Sequence, residues 1–324
     1  MKKKIIGILV MMLLIINVVA PLANSTNIKI DMTNLNEQIN PKIPELKHNF
    51  KIMLHKFRIR TYLEYIPSSY DGSDAVPLVL VLHGAPNTAK NASLRFGVSE
   101  KAKEEGFIVA YPNGVCKFTF RRTWNFGFGY GFAYKFNVDD IGFIRKLIER
   151  IQSNYNIDPN RIFIAGHSAG AMMSYRLASE LSDIVAAIAS NGGAIGGHIV
   201  DSPLWQIPEP DNPVSIAEFH GKLDSLIPYD GGWNQGETVF YLSVNDTISF
   251  WVEQNGCNTE PETTTSENVT IDKYGGGVAG TEVWIYTIHN KGHIWFGGPS
   301  WEDPDPVIST TDEMWEFFKA HPKQ

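Results

Sequence analysis

Short apolar runs alternate with longer amphipathic segments along most of the chain. Residues 78–82 read L-V-L-V-L, and a continuous apolar run of this length is typical of a strand buried on both faces of a sheet. Residues 139–155 instead place isoleucine and leucine at helical intervals behind an acidic pair that suits a helix N-terminus. Strands are predicted at 78–82, 107–110, 161–165, 184–189, 214–219 and 282–288, with one or two more within 50–66, and helices at 88–105, 139–155, 171–181, 238–254 and 310–319. This alternation predicts an α/β fold with a mostly parallel central sheet flanked by helices.

Two segments interrupt the alternation. Residues 116–136 are rich in glycine and aromatic residues and are predicted to form a loop. Residues 192–213 are rich in glycine and proline and are predicted to be an insertion between strands. Composition does not shift anywhere after residue 46, so we expect residues 47–324 to form a single catalytic domain.

The N-terminus has the pattern of an export signal. Three lysines precede an almost wholly apolar stretch, residues 5–20, and small residues follow at Ala20, Ala23 and Ser25. This order predicts a secretory signal peptide at residues 1–25, followed by a polar linker at 26–46. The alternative is an uncleaved membrane anchor, because the apolar stretch is only slightly shorter than a membrane span. With cleavage, we expect a secreted protein without stable membrane insertion.

The net charge limits which partners the protein can bind, and the cysteine count limits which disulfide and metal sites it can form. The formal net charge is −7, and removing a leader that carries Lys2, Lys3 and Lys4 takes it to −10, which argues against a nucleic-acid partner. Cys116 and Cys257 are the two cysteines, and in an exported protein they predict either one disulfide or two separate thiols. Two cysteines alone cannot supply the four ligands of a structural zinc site, and the sequence has no metal-binding spacing of His and Cys.

The pentapeptide at residues 166–170, G-H-S-A-G, stands between a predicted strand and a predicted helix. In this context G-x-S-x-G is the pattern of a nucleophile elbow, with Ser168 on a strained turn. A Cβ at either glycine would crowd the crossing of strand and helix. The helix that follows directs its N-terminus toward the serine and favours a negative oxygen there.

A serine nucleophile needs a base, an acid and an oxyanion hole, and in this fold they follow the order serine, acid, histidine. His293 is the expected base, because it lies in a loop after the last predicted strand, and His289 is its rival. Asp224 is the expected acid, because it follows the strand at 214–219, and Asp230 and Asp201 are its rivals.

Backbone N–H groups of Ala169 and Ala85 are expected to form the oxyanion hole, since Ala169 follows the serine and Ala85 follows His83-Gly84 at the end of an early strand. The indoles of Trp295 and Trp124 are predicted to contact substrate, because a flat apolar wall suits an aromatic acyl group or a polyester chain. For each tryptophan the alternative is an ordinary place in the core.

The ordered motifs resemble a known family. They are L-H-G at 82–84, A-Y-P-N-G at 110–114, W-N at 124–125, V-D-D-I-G-F at 138–143, G-H-S-A-G at 166–170, F-H-G at 219–221 with Asp224 and Pro228-Tyr229, N-G-C at 255–257 and G-H-I-W at 292–295. This set is similar to the polyhydroxybutyrate depolymerase and feruloyl esterase group of secreted α/β-hydrolases, over residues 50 to 320. The resemblance implies Ser168 as nucleophile, Asp224 as acid and His293 as base, in an esterase that acts on esters of hydroxy acids, esters of aromatic acids or acetylated sugars.

The expected function is therefore a secreted serine esterase that needs no cofactor or metal. Its expected partner is an ester substrate, and polymers such as a polysaccharide ester or a polyester are included. A serine peptidase on the same fold and a catalytically inactive fold that binds a polymer are the alternatives.

Overall fold

Apolar runs of the chain become the inner strands of a large sheet in the computed structural model, which describes residues 46–117, 121–299 and 302–324. The described residues from Leu46 on belong to one compact unit, Leu46–Gln324. The predicted signal peptide at 1–25 and all but the last residue of the predicted linker lie outside the described residues.

The strands, in chain order, are β1 (Asn49–His55), β2 (Arg58–Tyr65), β3 (Val76–Leu82), β4 (Ile108–Pro112), β5 (Ile157–His167), β6 (Ala187–Asn191), β7 (Gly196–Ile199), β8 (Trp205–Gln206), β9 (Ser215–Gly221), β10 (Gly232–Trp233), β11 (Val239–Tyr241), β12 (Glu262–Thr265), β13 (Val269–Tyr274) and β14 (Val283–Ile288). The α-helices are α1 (Ala89–Arg95), α2 (Val98–Glu105), α3 (Gly131–Lys135), α4 (Asp140–Asn154), α5 (Ala169–Glu180), α6 (Val244–Asn255) and α7 (Thr310–Ala320). A short 3₁₀ turn covers Val278–Gly280.

The main sheet has the strand order β1-β2-β4-β3-β5-β6-β9-β14-β13-β12. Its inner strands, from β4 to β14 in this order, run parallel. Antiparallel pairs extend it on both sides, through β1 and β2 on one and through β12 and β13 on the other. Parallel strands end at the same edge, so the loops after β3, β5, β6, β9 and β14 meet there.

Both faces of this sheet are covered, as the continuous apolar run in β3 predicts. Leu78, Leu80 and Leu82 pack into the core on one face, whereas Val79 and Val81 pack into the core on the other. Helices α4 and α5 supply apolar side chains to the first core, and α2 and α7 supply them to the second. The α/β fold with a mostly parallel, helix-flanked sheet is confirmed.

Four element predictions need correction. The segment 116–136, predicted to be a loop, contains helix α3 at Gly131–Lys135. The helix predicted at 88–105 is two helices, because Gly97 adopts a left-handed φ of 68° between α1 and α2. The helix predicted at 238–254 begins at Val244, where Ser243 and Asp246 form a capping box, and residues 239–241 before it form β11. The predicted insertion at 192–213 contains β7 and β8, which join β10 and β11 in a small second sheet.

The cysteines are two separate thiols, so the alternative of a disulfide is not realised. Cys257 is buried after α6, where its thiol lies 3.7 Å from the Thr281 carbonyl oxygen. Cys116 is half-buried in the loop after β4. Across the part of the chain that the structure describes, none of the helices combines the length and apolar character needed to cross a membrane.

Candidate active site

Four loops at the C-terminal edge of the parallel strands carry the residues predicted for chemistry, and a fifth loop lies beside them. Ala85 follows β3, Ser168 follows β5, Asp224 follows β9 and His293 follows β14. The loop after β6 completes the group, because Asn191 and Gly192 lie between the serine and histidine loops.

Ser168 sits on a strained turn between β5 and α5. Its backbone has φ 58° and ψ −121°, a conformation that non-glycine residues rarely adopt and that costs about 1–3 kcal/mol. Two hydrogen bonds hold the turn: the Ser168 N–H donates to the Asn191 carbonyl at 3.0 Å, and the Met172 N–H donates to the Ser168 carbonyl at 3.0 Å. This geometry is the nucleophile elbow that the sequence predicts.

The glycines of the pentapeptide permit a very close crossing. A Cβ on Gly166 would lie 2.2 Å from the Gly170 carbonyl oxygen, and a Cβ on Gly170 would lie 2.3 Å from the Leu82 carbonyl oxygen. Both obstacles are backbone atoms, which cannot rotate away. The predicted steric reason for glycine at these two positions is confirmed.

Asp224 and His293 form a short hydrogen-bonded pair. His293 Nδ1 lies 2.6 Å from Asp224 Oδ2. The other carboxylate oxygen, Oδ1, accepts the backbone N–H groups of Leu226 and Ile227 at 2.8 and 2.9 Å. Burial raises the pKa of Asp224, but hydrogen bonds from His220 and His293 outweigh it and hold that pKa well below its ordinary value. Asp224 is therefore a carboxylate that can fix the ring orientation of His293.

The acid and base loops touch along their backbones. The Leu223 N–H donates to the Lys291 carbonyl at 3.0 Å, and a Cβ on Gly221 would lie 2.4 Å from the same oxygen. Glycine at the end of β9 thus allows the loop of Asp224 to approach the loop of His293.

His293 also lies beside the nucleophile elbow. Gly192 has a left-handed φ of 64°, and a Cβ there would lie 3.2 Å from His293 Nδ1. The residue before it, Asn191, is the one that accepts the Ser168 N–H. The rings of His167 and His293 have centroids 4.9 Å apart. Within the described residues, no hydrogen bond joins the Ser168 hydroxyl to His293, and such contacts are often looser before a substrate binds.

The two expected oxyanion donors flank Ser168. Ala169 begins α5, and Ala85 follows Gly84, where an added Cβ would lie 3.2 Å from the Ser168 Cβ. In the described part of the chain, neither the Ala85 N–H nor the Ala169 N–H has a hydrogen-bond partner. Both are thus available to an oxygen bound at the serine.

His83 braces the loop that carries Ala85. Its Nδ1 donates to the Gly84 carbonyl at 2.7 Å, and its Nε2 accepts the Gly114 N–H at 3.1 Å. The ring is therefore neutral, which agrees with burial lowering the pKa of His83 to about 4. The Trp124 indole N–H donates to the His83 carbonyl at 2.9 Å and fixes the same loop from behind.

The structure corrects the substrate-contact prediction for Trp124 and Trp295. Their side chains are 0% and 1% exposed, so neither presents a face to a ligand. Trp295 stacks on Phe96 with ring centroids 4.3 Å apart, and its indole N–H donates to the Thr311 hydroxyl at 3.1 Å. Both are core aromatics, the alternative that the sequence left open.

A cleft of about 520 Å³ opens at Ser168 and Ala85. Its wall comes partly from the two segments that interrupt the strand–helix pattern, through Tyr130 and Ile199. The remaining lining residues are Leu226, Ile227, Asn234, Thr238, Val239 and Tyr241. The cleft is thus mainly apolar, with a few hydroxyl and amide groups, which is typical of a small-molecule site.

Sequence reasoning overlooked Glu218 and Tyr175, which contact each other behind Asp224. The Tyr175 hydroxyl donates to Glu218 at 2.7 Å, and both side chains are fully buried. The available signal was a glutamate inside the buried strand at 214–219, because an acid there must have a partner.

Comparisons with known proteins agree with this geometry. Residues 60–203, less than half of the chain, match the family model described as esterase PHB depolymerase. Feruloyl esterase B of Piromyces equi is 29% identical over 72% of this chain, but the chain spans only 42% of that protein's length. A probable feruloyl esterase C of Aspergillus niger is 26% identical, and the match covers 82% of this chain and 86% of that protein.

Among solved structures, acetyl xylan esterase from Aspergillus awamori superposes with a TM-score of 0.57. The match covers 84% of this chain and 99% of that one at 14% identity, so it bears on the fold alone. The predicted resemblance is confirmed: the chain has the α/β-hydrolase fold, and its sequence is similar to esterases of the PHB depolymerase and feruloyl esterase group.

Proposed function

We propose that the chain is a secreted serine esterase that hydrolyses carboxylic esters through Ser168, His293 and Asp224. The observation that carries this proposal is the 2.6 Å hydrogen bond between Asp224 and His293, set next to a serine held in a strained elbow. These are the parts that a serine hydroxyl needs to become a nucleophile at neutral pH.

In the proposed reaction, Ser168 Oγ attacks the ester carbonyl carbon while His293 Nε2 takes the hydroxyl proton. The carbonyl π bond breaks toward oxygen, and the N–H groups of Ala85 and Ala169 donate to the resulting oxyanion. His293 then gives its proton to the leaving alcohol as the ester bond breaks. Water attacks the acyl-enzyme by the same route in reverse, which releases the acid and restores Ser168.

Asp224 keeps the proton of His293 on Nδ1, so that Nε2 faces the serine as a base. Its two backbone donors and the His293 ring use both carboxylate oxygens, and this fixes the carboxylate plane. The N-terminus of α5 adds a favourable field at the oxyanion, because Ser168 is its N-cap residue.

We infer that the substrate is a polysaccharide ester that carries feruloyl or acetyl groups, or a polyester. The named relatives include feruloyl esterases and a bifunctional acetylxylan esterase/xylanase. A mainly apolar cleft of about 520 Å³ suits an acyl group of aromatic size. A hydrolysis panel over methyl ferulate, acetylated xylan and polyester film separates these substrates, and inactivity on all of them contradicts the substrate class.

Activity on a short nitrophenyl ester tests the reaction itself. We expect turnover of the ester and none of a matched peptide amide. Turnover of the amide instead supports a peptidase, and inactivity on both supports a fold that only binds a polymer.

Secretion rests on the leader at residues 1–25. N-terminal sequencing of protein recovered from the culture medium should begin near residue 26. Retention of the whole chain in the membrane fraction contradicts the proposal and supports an uncleaved anchor.

A further inference from the structure

A second buried acid–base pair stands directly behind Asp224. Glu218 and His220 lie on β9, both with 0% exposed side chains, and His220 Nδ1 is 2.8 Å from Glu218 Oε1. On its other side, His220 Nε2 is 3.5 Å from Asp224 Oδ2, the same oxygen that bonds His293. The ring of His220 therefore bridges two buried carboxylates, one of which belongs to the proposed triad.

Hydrogen bonding gives His220 a proton on both nitrogens. Nε2 lies 2.9 Å from the Ile227 carbonyl oxygen, which can only accept, so Nε2 carries a hydrogen. Nδ1 faces a carboxylate oxygen of Glu218. Burial lowers the pKa of His220, but Asp224 and Glu218 outweigh it and raise that pKa to about 10. The ring is then an imidazolium at neutral pH.

Within the described residues, polar groups and an exposed ion pair surround these two side chains: Lys222 and Asp230 lie 2.7 Å apart, with the Lys222 ammonium 4.0 Å from the Tyr229 ring. Tyr175 on α5 donates to Glu218 Oε2, the Gly193 N–H approaches Glu218 Oε1 at 3.4 Å, and the Tyr229 ring meets His220 edge-on at 5.6 Å. His293 reaches the pair only through Asp224, and His167 lies beyond His293. Positive charge on His220 therefore acts on both Glu218 and Asp224 and, through Asp224, on His293.

Resting on the proposed function, we propose that Glu218 and His220 are positioning residues, and that the His220 imidazolium holds Asp224 ionised and in place for His293. Without that cation, two buried carboxylates would face each other across β9 and its following loop. Like charges in such a site drive one of them to take up a proton. The motif F-H-G-x-x-D at 219–224 thus supplies both the acid and the group that supports it.

The proposal predicts a specific change in the pH profile of kcat/KM. The acid limb of this profile reports the pKa of the catalytic base in the free enzyme. In His220→Gln the cation beside Asp224 is lost, so Asp224 takes up a proton more readily and its charge no longer favours protonated His293. The acid limb should therefore move to lower pH by about half a unit or more, with kcat lowered about tenfold or more and KM little changed. A move to higher pH would mean that Asp224 stays ionised without His220 and would overturn the proposal.

His321 offers a matched control. It is also a buried histidine with a carbonyl partner, Phe317, and a carboxylate partner, Glu282, but it lies at the end of α7. His321→Gln should lower the melting temperature and leave the acid limb unmoved. If His220→Gln behaves in the same way, the proposal is overturned and His220 is merely structural.

A measurement on the unaltered chain covers the case in which His220→Gln does not fold. With histidine-selective ¹⁵N labelling, one ring should keep the signals of a doubly protonated imidazolium at pH 8, when an ordinary histidine is neutral. Signals of neutral rings alone would overturn the proposal. Failure of the proposed function is distinguishable, because then Ser168→Ala would keep esterase activity whatever the state of His220.

Discussion

At the scale of single residues, the 2.6 Å contact between His293 Nδ1 and Asp224 Oδ2 carries the proposed chemistry. Ser168, Asp224 and His293 each follow a predicted strand, which is the order that the fold requires. The prediction for Trp124 and Trp295 rests on the chemistry of the indole alone, and both side chains are buried. Trp295 is close in sequence to His293, but the direction of its side chain depends on packing against residues that are distant in the sequence.

His293→Ala should reduce kcat/KM for a nitrophenyl ester by about 10⁴-fold or more, since it removes the proposed base. His289→Ala is its matched control. His289 is exposed, and among the described residues its side chain has one hydrogen-bond partner, the Thr270 hydroxyl at 3.0 Å. That variant should stay near wild type in a steady-state assay. Similar losses in both variants would contradict the assignment of the base.

Trp295→Ala should lower the free energy of unfolding by about 3–5 kcal/mol, because it empties a core position stacked on Phe96. Trp233→Ala, at a site 42% exposed on β10, should change it by less than about 1 kcal/mol. Chemical denaturation measures both. A raised KM in Trp295→Ala without loss of stability would restore its predicted role in substrate contact.

At the scale of elements, the buried parallel strands are the most predictable part of the fold. Mainly apolar runs mark β3, β4, β5, β6, β9 and β14, because strands covered on both faces have no solvent side to alternate with. The chain from 257 to 281 carried no prediction, and it forms β12 and β13. β12 consists of exposed polar residues at the sheet edge, so its pairing depends on backbone contacts that leave no apolar pattern.

Gly170→Ala should destabilise the protein by about 1–3 kcal/mol, because its Cβ would meet the Leu82 carbonyl oxygen at 2.3 Å. Activity should fall further than stability does, since the same crossing sets the position of Ser168. Gly236→Ala is the control, because its Cβ would meet nothing nearer than 3.8 Å. Thermal melts and ester assays of both variants test the nucleophile elbow. Unchanged stability and activity in Gly170→Ala would contradict the close packing of the strand and helix there.

At the scale of the whole molecule, the cleft is the part that sequence reasoning could least predict. Its wall combines a residue from the aromatic loop, one from the insertion and several from the small second sheet and the loops beside it. The aromatic loop and the insertion border this cleft through Tyr130 and Ile199. The contribution of residues 238–241 could not be foreseen, because they were predicted to begin a helix.

The charge state of His220 also predicts how stability depends on pH. Its pKa of about 10 lies above the ordinary value of about 6.5, so its stabilising effect is complete below pH 6.5 and is lost as pH rises toward 10. The difference in unfolding free energy between the wild type and His220→Gln should therefore shrink from pH 6 to pH 10. Denaturation series at several pH values measure it, and a constant difference would contradict the charged state.

Because both cysteines are free thiols, we expect reducing agents to leave the stability of the protein unchanged. A melting temperature measured with and without dithiothreitol should be the same, and thiol titration of the unfolded chain should find both Cys116 and Cys257. A drop in melting temperature on reduction would point instead to the disulfide that an exported protein often carries.

The most direct test of the proposed esterase is covalent labelling of Ser168 with a fluorophosphonate. We predict one adduct, mapped to the peptide that contains Ser168, with ester hydrolysis lost in proportion to labelling. Ser168→Ala should neither label nor hydrolyse the ester above a trace. Labelling at another residue, or hydrolysis that survives in Ser168→Ala, would contradict a serine esterase built on this elbow.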